Sequence, residues 1–344
     1  MVLGSTAVAA LPAAAQRSPT TGRIVSGGVT PSVFTGHIFT GPGQGGGPNV
    51  RGFLSGGSVF VSYFAYDPSF TGGVRVGQGD VNSDGVPDDI TAPGPGAGSN
   101  VKVFSGLDPS VTLQSFFAYD PSFTGGAFVA SGDTNHNGWV DIVTGAGAGG
   151  GPHVKVFDGF NNAVTMSFFA YDPSFGGGVR VASGDINGDG DDDVITAPGP
   201  GSTPLVKVFS GRDGSLLASF LAYGPAFTGG VFVASGDVNG DFRADIVTGA
   251  GAGGGPHVKA FSGTTFGEID SFFAYSPDFS GGVTVSACDL TNDGRDEIVT
   301  GAGPGGGPHV KAFDGVDQTE VDSFFAYDPS FAGGVFAACA RRRP

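Results

Sequence analysis

Asp185-Ile186-Asn187-Gly188-Asp189-Gly190-Asp191-Asp192-Asp193-Val194-Ile195-Thr196 decides how this chain is read. Oxygen-bearing side chains stand at alternate positions, Asp185, Asn187 and Asp189. Gly190 then permits a sharp turn, because a residue without a Cβ adopts positive φ freely. A main-chain carbonyl at Asp191 (position 7) and the carboxylate of Asp193 (position 9) complete a set of hard oxygens. Calcium takes about 6–8 such oxygens at roughly 2.3–2.6 Å, so the stretch predicts a calcium loop. The flanks are rich in β-branched residues, which favours a strand on each side.

The first half of the loop matches the helix–loop–helix calcium signature, which then needs a bidentate Glu at position 12 and flanking helices. Position 12 is Thr196 here, and Thr91, Thr144, Thr248 and Thr300 in four further copies. Position 9 must therefore do the work of the missing Glu. Asp/Asn/Gly runs also make ordinary turns, but the return of the same oxygens at a fixed period argues against that reading.

The period is read from Tyr66, Tyr119, Tyr171, Tyr223, Tyr275 and Tyr327, spaced 53, 52, 52, 52 and 52 residues apart. One unit contains a strand at 178–184, the loop, a second strand at 194–197, a Gly/Pro turn, a third strand at 205–209, a hairpin turn at 210–214 and a fourth strand at 216–223. Four short antiparallel strands per unit of about 50 residues is the pattern of a β-propeller blade. No helical period is sustained anywhere. Units begin near Gly22, Gly73, Gly126, Gly178, Gly230 and Gly282, with an extra strand at 334–340. The fold expected is an all-β propeller over residues 22–340, with six blades and seven as the alternative. The extra strand either displaces the one at Gly22, belongs to a longer array, or starts a truncated seventh blade. The first unit has Gly28, Thr30, Ser32 and Gly36 at its loop positions, so it should hold no calcium.

Glycine (65) and proline (23) make about a quarter of the 344 residues, which without a period would suggest disorder. The period and 31 phenylalanines oppose that. A net charge of −16 argues against nucleic acid as partner, since phosphate binding needs a basic surface. Five divalent ions would add +10 to −16 and leave −6, so the acidity belongs to the loops. Cys288 and Cys339 read as small core residues, a disulfide between them being the alternative. Residues 1–21 resemble a secretory signal peptide without its basic n-region, or a disordered N-terminus. Residues 341–344 are a basic tail, and no other run is long and apolar enough to span a membrane.

The chain resembles the FG-GAP/VCBS repeat family. The resemblance rests on the D-x-N-x-D-G-x-x-D loop before Ile-Val-Thr-Gly-Ala-Gly, on Gly-Gly-Gly-Pro-His-Val-Lys, and on Ser-Phe-Phe-Ala-Tyr-Asp-Pro-Ser-Phe, over nearly all of 22–340. It implies a calcium-binding propeller of the kind found in integrin α-subunit heads and bacterial surface proteins, with up to five ions and no single activity. Carried over loop by loop, the ligands are Asp80, Asn82, Asp84, Val86 and Asp88 in the first. The second has Asp133, Asn135, Asn137, Trp139 and Asp141, one carboxylate softened to Asn. The third has Asp185, Asn187, Asp189, Asp191 and Asp193. The fourth has Asp237, Asn239, Asp241, Arg243 and Asp245, where Phe242 replaces the turn glycine and predicts a distorted loop. The fifth departs twice, with Asp289, Thr291, Asp293, Arg295 and Glu297.

The remaining repeated residues read as structural. His153, His257 and His309 lie one blade apart, as strand residues near a turn. Lys102, Lys155, Lys207, Lys259 and Lys311 read as the solvated face of the third strand. Arg23, Arg75, Phe128, Arg180, Phe232, Thr284 and Phe336 alternate in the opening strands and predict cation–π packing between blades, with a ligand channel as the alternative. The Phe-Phe-Ala-Tyr strands read mostly as core, and any exposed ring would recur six times. No nucleophile, base and orienting group occur together once, as an enzyme needs. The function expected is a non-catalytic, secreted or cell-surface scaffold or adhesion module meeting a protein or glycan ligand. The alternatives are a calcium-dependent polysaccharide lyase and a multivalent sugar-binding lectin.

Overall fold

The computed structural model describes residues 36–340. The possible signal peptide, the basic tail and most of the first unit's loop positions lie outside the described residues. Six four-stranded antiparallel sheets form a ring, and no helix occurs among the described residues. The chain is a six-blade β-propeller.

The blade holding the quoted loop consists of Val179–Gly184, Asp193–Pro198, Leu205–Phe209 and Leu216–Leu221, ordered from the axis outward. The first two strands pair from Val179↔Pro198 to Gly184↔Asp193, which places the Asp loop at their turn. Burial follows position in the blade. Asp193–Pro198 is buried along its whole length, because neighbouring blades cover both its faces, and so it reads as an unbroken β-branched run. Leu216–Leu221 is mostly exposed and alternates. The apolar clusters lie between blades, as where Ile90, Val101 and Val103 meet Ile142 and Phe157. Gly178 shows why glycine opens each innermost strand. Its φ is +75°, and a Cβ would sit 2.6 Å from the Gly147 carbonyl carbon of the preceding blade.

The ring closes by replacement. Val335–Ala338 occupies the innermost place of the first blade and pairs with Ile38–Pro42, Phe39 facing Ala338. Asn49–Leu54 and Ser58–Phe64 complete that blade. The extra strand thus completes the first blade; the strand read at Gly22 lies outside the described residues, and there is no seventh blade among them.

Cys288 and Cys339 form a disulfide with Cα atoms 5.9 Å apart, contrary to their reading as small core residues. Cys288 ends the innermost strand of the last blade, and Cys339 follows the closing strand. The bond therefore pins the closure to its neighbour.

The repeated lysines are not a solvated face. Lys102, Lys155 and Lys207 donate from Nζ to the carbonyls of Ala65, Ala118 and Ala170 in the preceding blade, at 3.0, 3.0 and 2.8 Å. In the later blades Lys259 and Lys311 pair instead with Glu268 and Glu320. Tyrosine crosses the same junction in the other direction. Tyr171 donates to Leu205 O at 2.7 Å, and the other five repeat tyrosines make the equivalent bond. The outer strands also depart from the core reading. Their alanines and tyrosines turn inward, but Phe64, Phe117, Phe169, Phe273 and Phe325 are each about half exposed.

Candidate metal centre

Each Asp loop is built by its own side chains. Asp185 accepts the amides of Gly188, Asp189 and Gly190 at 2.6, 3.1 and 3.1 Å. Asn187 Oδ1 accepts the Asp189 amide at 2.8 Å, and Asp189 accepts that of Asp191 at 3.0 Å. The loop at Asp80 repeats this through Asn82, Asp84 and the amide of Val86. So does the loop at Asp133, through Asn135, Asn137 and the amide of Trp139. Alternate oxygens thus first serve to fold the turn.

Position 9 faces inward. Asp193 is fully buried, takes the amides of Ile186 and Asn187 at 3.1 and 3.2 Å, and takes that of Gly211 in the outer hairpin at 3.2 Å. Asp88, Asp141 and Asp245 do the same with Gly106, Gly159 and Gly263. Glu297 accepts the Thr291 amide and hydroxyl. Burial pushes these carboxyls up, Asp88 and Asp141 to about 6 and Asp193 and Asp245 to about 7. A nearby cation would favour their ionised form.

Among the described residues no three His, Cys, Asp or Glu side chains converge on one point. Each loop instead offers carboxylate, amide and carbonyl oxygens in sequence. A carboxylate has about four acceptor directions, so Asp193 and Asp185, each holding three amides, keep about one apiece. Asp189 takes the Asp191 amide and the Asn187 side-chain amide, which leaves it about two. This donor set fits a hard cation whose remaining ligands are water.

The loops differ at position 7. Asp191 is salt-bridged to Arg212 at 3.0 Å, and Trp139 lies against Phe160. Arg243 reaches back to Asn187 O at 2.7 Å. Arg295 stands 2.7 Å from Asp293 in its own loop, so a positive charge already sits on that carboxylate. Phe242 does not distort its loop. It adopts φ +66° with its ring in solvent, and its amide still reaches Asp237 at 2.7 Å. One requirement escaped the sequence reading. Position 4 is left-handed in every loop, at Ser83, His136, Gly188, Gly240 and Asn292. The Gly and Asn copies were the available signal.

Neighbouring loops touch. The amides of Asp192, Ala244 and Asp296 donate to the carbonyls of Asp133, Asp185 and Asp237 in the preceding blade. His153, His257 and His309 sit away from the loops, each stacked on an outer-strand phenylalanine, as His153 is on Phe169 at 4.7 Å.

Residues 185–248, from the start of this loop to the second strand of the next blade, match the FG-GAP-like repeat model. That stretch, one inter-loop span of the ring, is similar to an FG-GAP-like repeat. No curated protein matches it. Two solved structures are similar in fold to this propeller. A Bacteroides caccae protein of unknown function is 12 % identical, with a TM-score of 0.43, over 70 % of this chain and 73 % of that one. The V. cholerae biofilm matrix protein Bap1 is 18 % identical, with a TM-score of 0.40, over 76 % of this chain. The chain spans 40 % of Bap1. Among the described residues no helix is long and apolar enough to cross a membrane.

Proposed function

We propose that this protein is a calcium-stabilised, non-catalytic propeller that works outside the cell as a scaffold or adhesion module for a protein or glycan ligand. The observation that carries this reading is the five-fold recurrence of a loop whose hard oxygens keep acceptor capacity after folding the turn. Bound at Asp185, Asn187, Asp189 and their counterparts, calcium supplies charge that acidic loops lack. It fixes the turn between the innermost strand and its neighbour. Metal binding is then coupled to folding. The Cys288–Cys339 disulfide supports an oxidising, extracellular setting. Polar residues that recur in each blade serve the repeat, and this favours a binding surface over a single catalytic centre.

The test is thermal unfolding with calcium and with excess chelator, beside a calorimetric count of sites. One site at 100 times its Kd should stabilise by about 2.7 kcal/mol. No shift at millimolar calcium would remove the metal from the proposal and leave the loops as acidic turns.

The exposed outer rings favour one refinement. His153–Phe169, His257–Phe273 and His309–Phe325 are stacked, half-exposed platforms repeated around the wall. Repetition of one weak contact raises avidity without any new contact. Glycan-array binding that weakens stepwise as these phenylalanines become alanine would support a lectin-like role.

A further inference from the structure

The axis of the ring has a second kind of site. Each blade sends one side chain from its innermost strand to the axis: Arg75, Phe128, Arg180, Phe232, Thr284 and Phe336. The three phenylalanines meet edge to face, with centroids 6.2–6.5 Å apart. Arg75 lies over Phe128 at 4.1 Å, and Arg180 over Phe232 at 4.7 Å and Phe128 at 5.2 Å. These contacts join neighbouring blades, as the sequence suggested, and they also line a cavity of about 60 Å³.

The guanidinium groups are incompletely served. Both arginines are 9 % exposed. Arg75 Nη1 donates to Pro93 O at 2.9 Å, while its Nε has no acceptor. Arg180 has no acceptor at Nε or at Nη1. Neither arginine forms a salt bridge within the described residues. Burial and the charge of Arg180 pull Arg75 down to about 9, which still leaves it cationic at neutral pH. Phenylalanine faces attract a cation but accept none of its in-plane N–H bonds. A buried charge normally carries a partner, and buried N–H groups normally carry acceptors.

We propose that the axial cavity between Arg75 and Arg180 binds one small inorganic anion, a halide or a compact oxyanion, as the missing counter-ion. A cavity of about 60 Å³ admits such an ion together with water. The chain's net charge of −16 repels anions in general, so capture here depends on the two desolvated guanidiniums. The inference is independent of the calcium loops.

The first test is diffraction from crystals of the intact protein grown or soaked in bromide, and separately in sulfate. Anomalous bromide density, or tetrahedral sulfate density, on the axis within hydrogen-bonding distance of Arg180 supports the site and names the class. An axis holding water alone in both overturns it. In solution, chloride is added to a gluconate buffer at matched ionic strength and fixed calcium. The melting temperature should rise saturably by roughly 2–4 °C, and Arg180→Met should abolish that rise. An equal rise in Arg180→Met would overturn the site. If that variant does not fold, the bromide and sulfate maps of the native protein decide.

Discussion

In five blades the innermost strand and its neighbour are joined by an Asp loop, whereas in the first blade they come from opposite ends of the described chain. The seam keeps everything else a junction uses. Tyr327 donates to Asn49 O at 2.7 Å, as Tyr171 does to Leu205 O. Arg51 reaches Ala326 O at 3.0 Å, where Lys207 reaches Ala170 O. It adds a disulfide to the neighbouring blade where a loop would otherwise stand. Five blades thus tie their two inner strands by an acidic turn, whereas in the first blade strand pairing alone joins them and the disulfide holds the closing strand to the adjacent blade.

The comparison can be broken first at the disulfide. It closes a loop of 51 residues, for which the chain-entropy model gives about 4 kcal/mol. Cys339→Ala, or reduction, should lower stability to guanidinium by about that amount and leave the calcium response intact. An unchanged unfolding midpoint would mean that strand pairing alone holds the seam.

The loops come next. Asp189→Ala should remove the calcium-dependent stabilisation of one site, about 2.7 kcal/mol at 100 times Kd. Asp293→Ala should remove less, because Arg295 already occupies that carboxylate. Calcium titration of the melting temperature compares the two. Equal losses would show that Arg295 yields to the metal.

Tyr327→Phe and Tyr171→Phe should each cost about 1–3 kcal/mol, since each takes a donor from half-buried carbonyls at a blade junction. Similar values from urea unfolding would make the seam an ordinary junction in all but its connection. A much smaller loss at Tyr327 would show it to be loose. The smallest effect expected is at the fourth loop. Phe242→Gly should stabilise by about 0.5–1 kcal/mol, as left-handed strain of about 1–2 kcal/mol is relieved against glycine's entropy. No gain would mean that the Asp237 bond already absorbs the strain.

Much of this was legible because the repeat prints the same local information many times. Strand order, blade size and loop positions each follow from spacing that recurs at Tyr66 through Tyr327. What was not legible is non-local. Nothing near Ala338 says that Phe39 is its partner. Cys288 and Cys339 are one residue short of a full repeat apart, a spacing that places them on the same strand of adjacent blades, and that signal was passed over. The lysines misled because alternation within a strand gives the face of a residue but not what the next blade brings to it. Position 9 was legible only in part. An Asp that ligates metal and an Asp that gathers buried amides, as Asp193 does, look alike in sequence.

The replaced strand also bears on synthesis. A ribosome makes Ile38–Pro42 well before Val335–Ala338, so the first blade waits with an open edge while the blades between them are completed. An open edge pairs with whatever strand arrives. In a crowded polysome, the last strand of a neighbouring copy has the same sequence as the proper one, so dimers by strand exchange are the natural error of this ring.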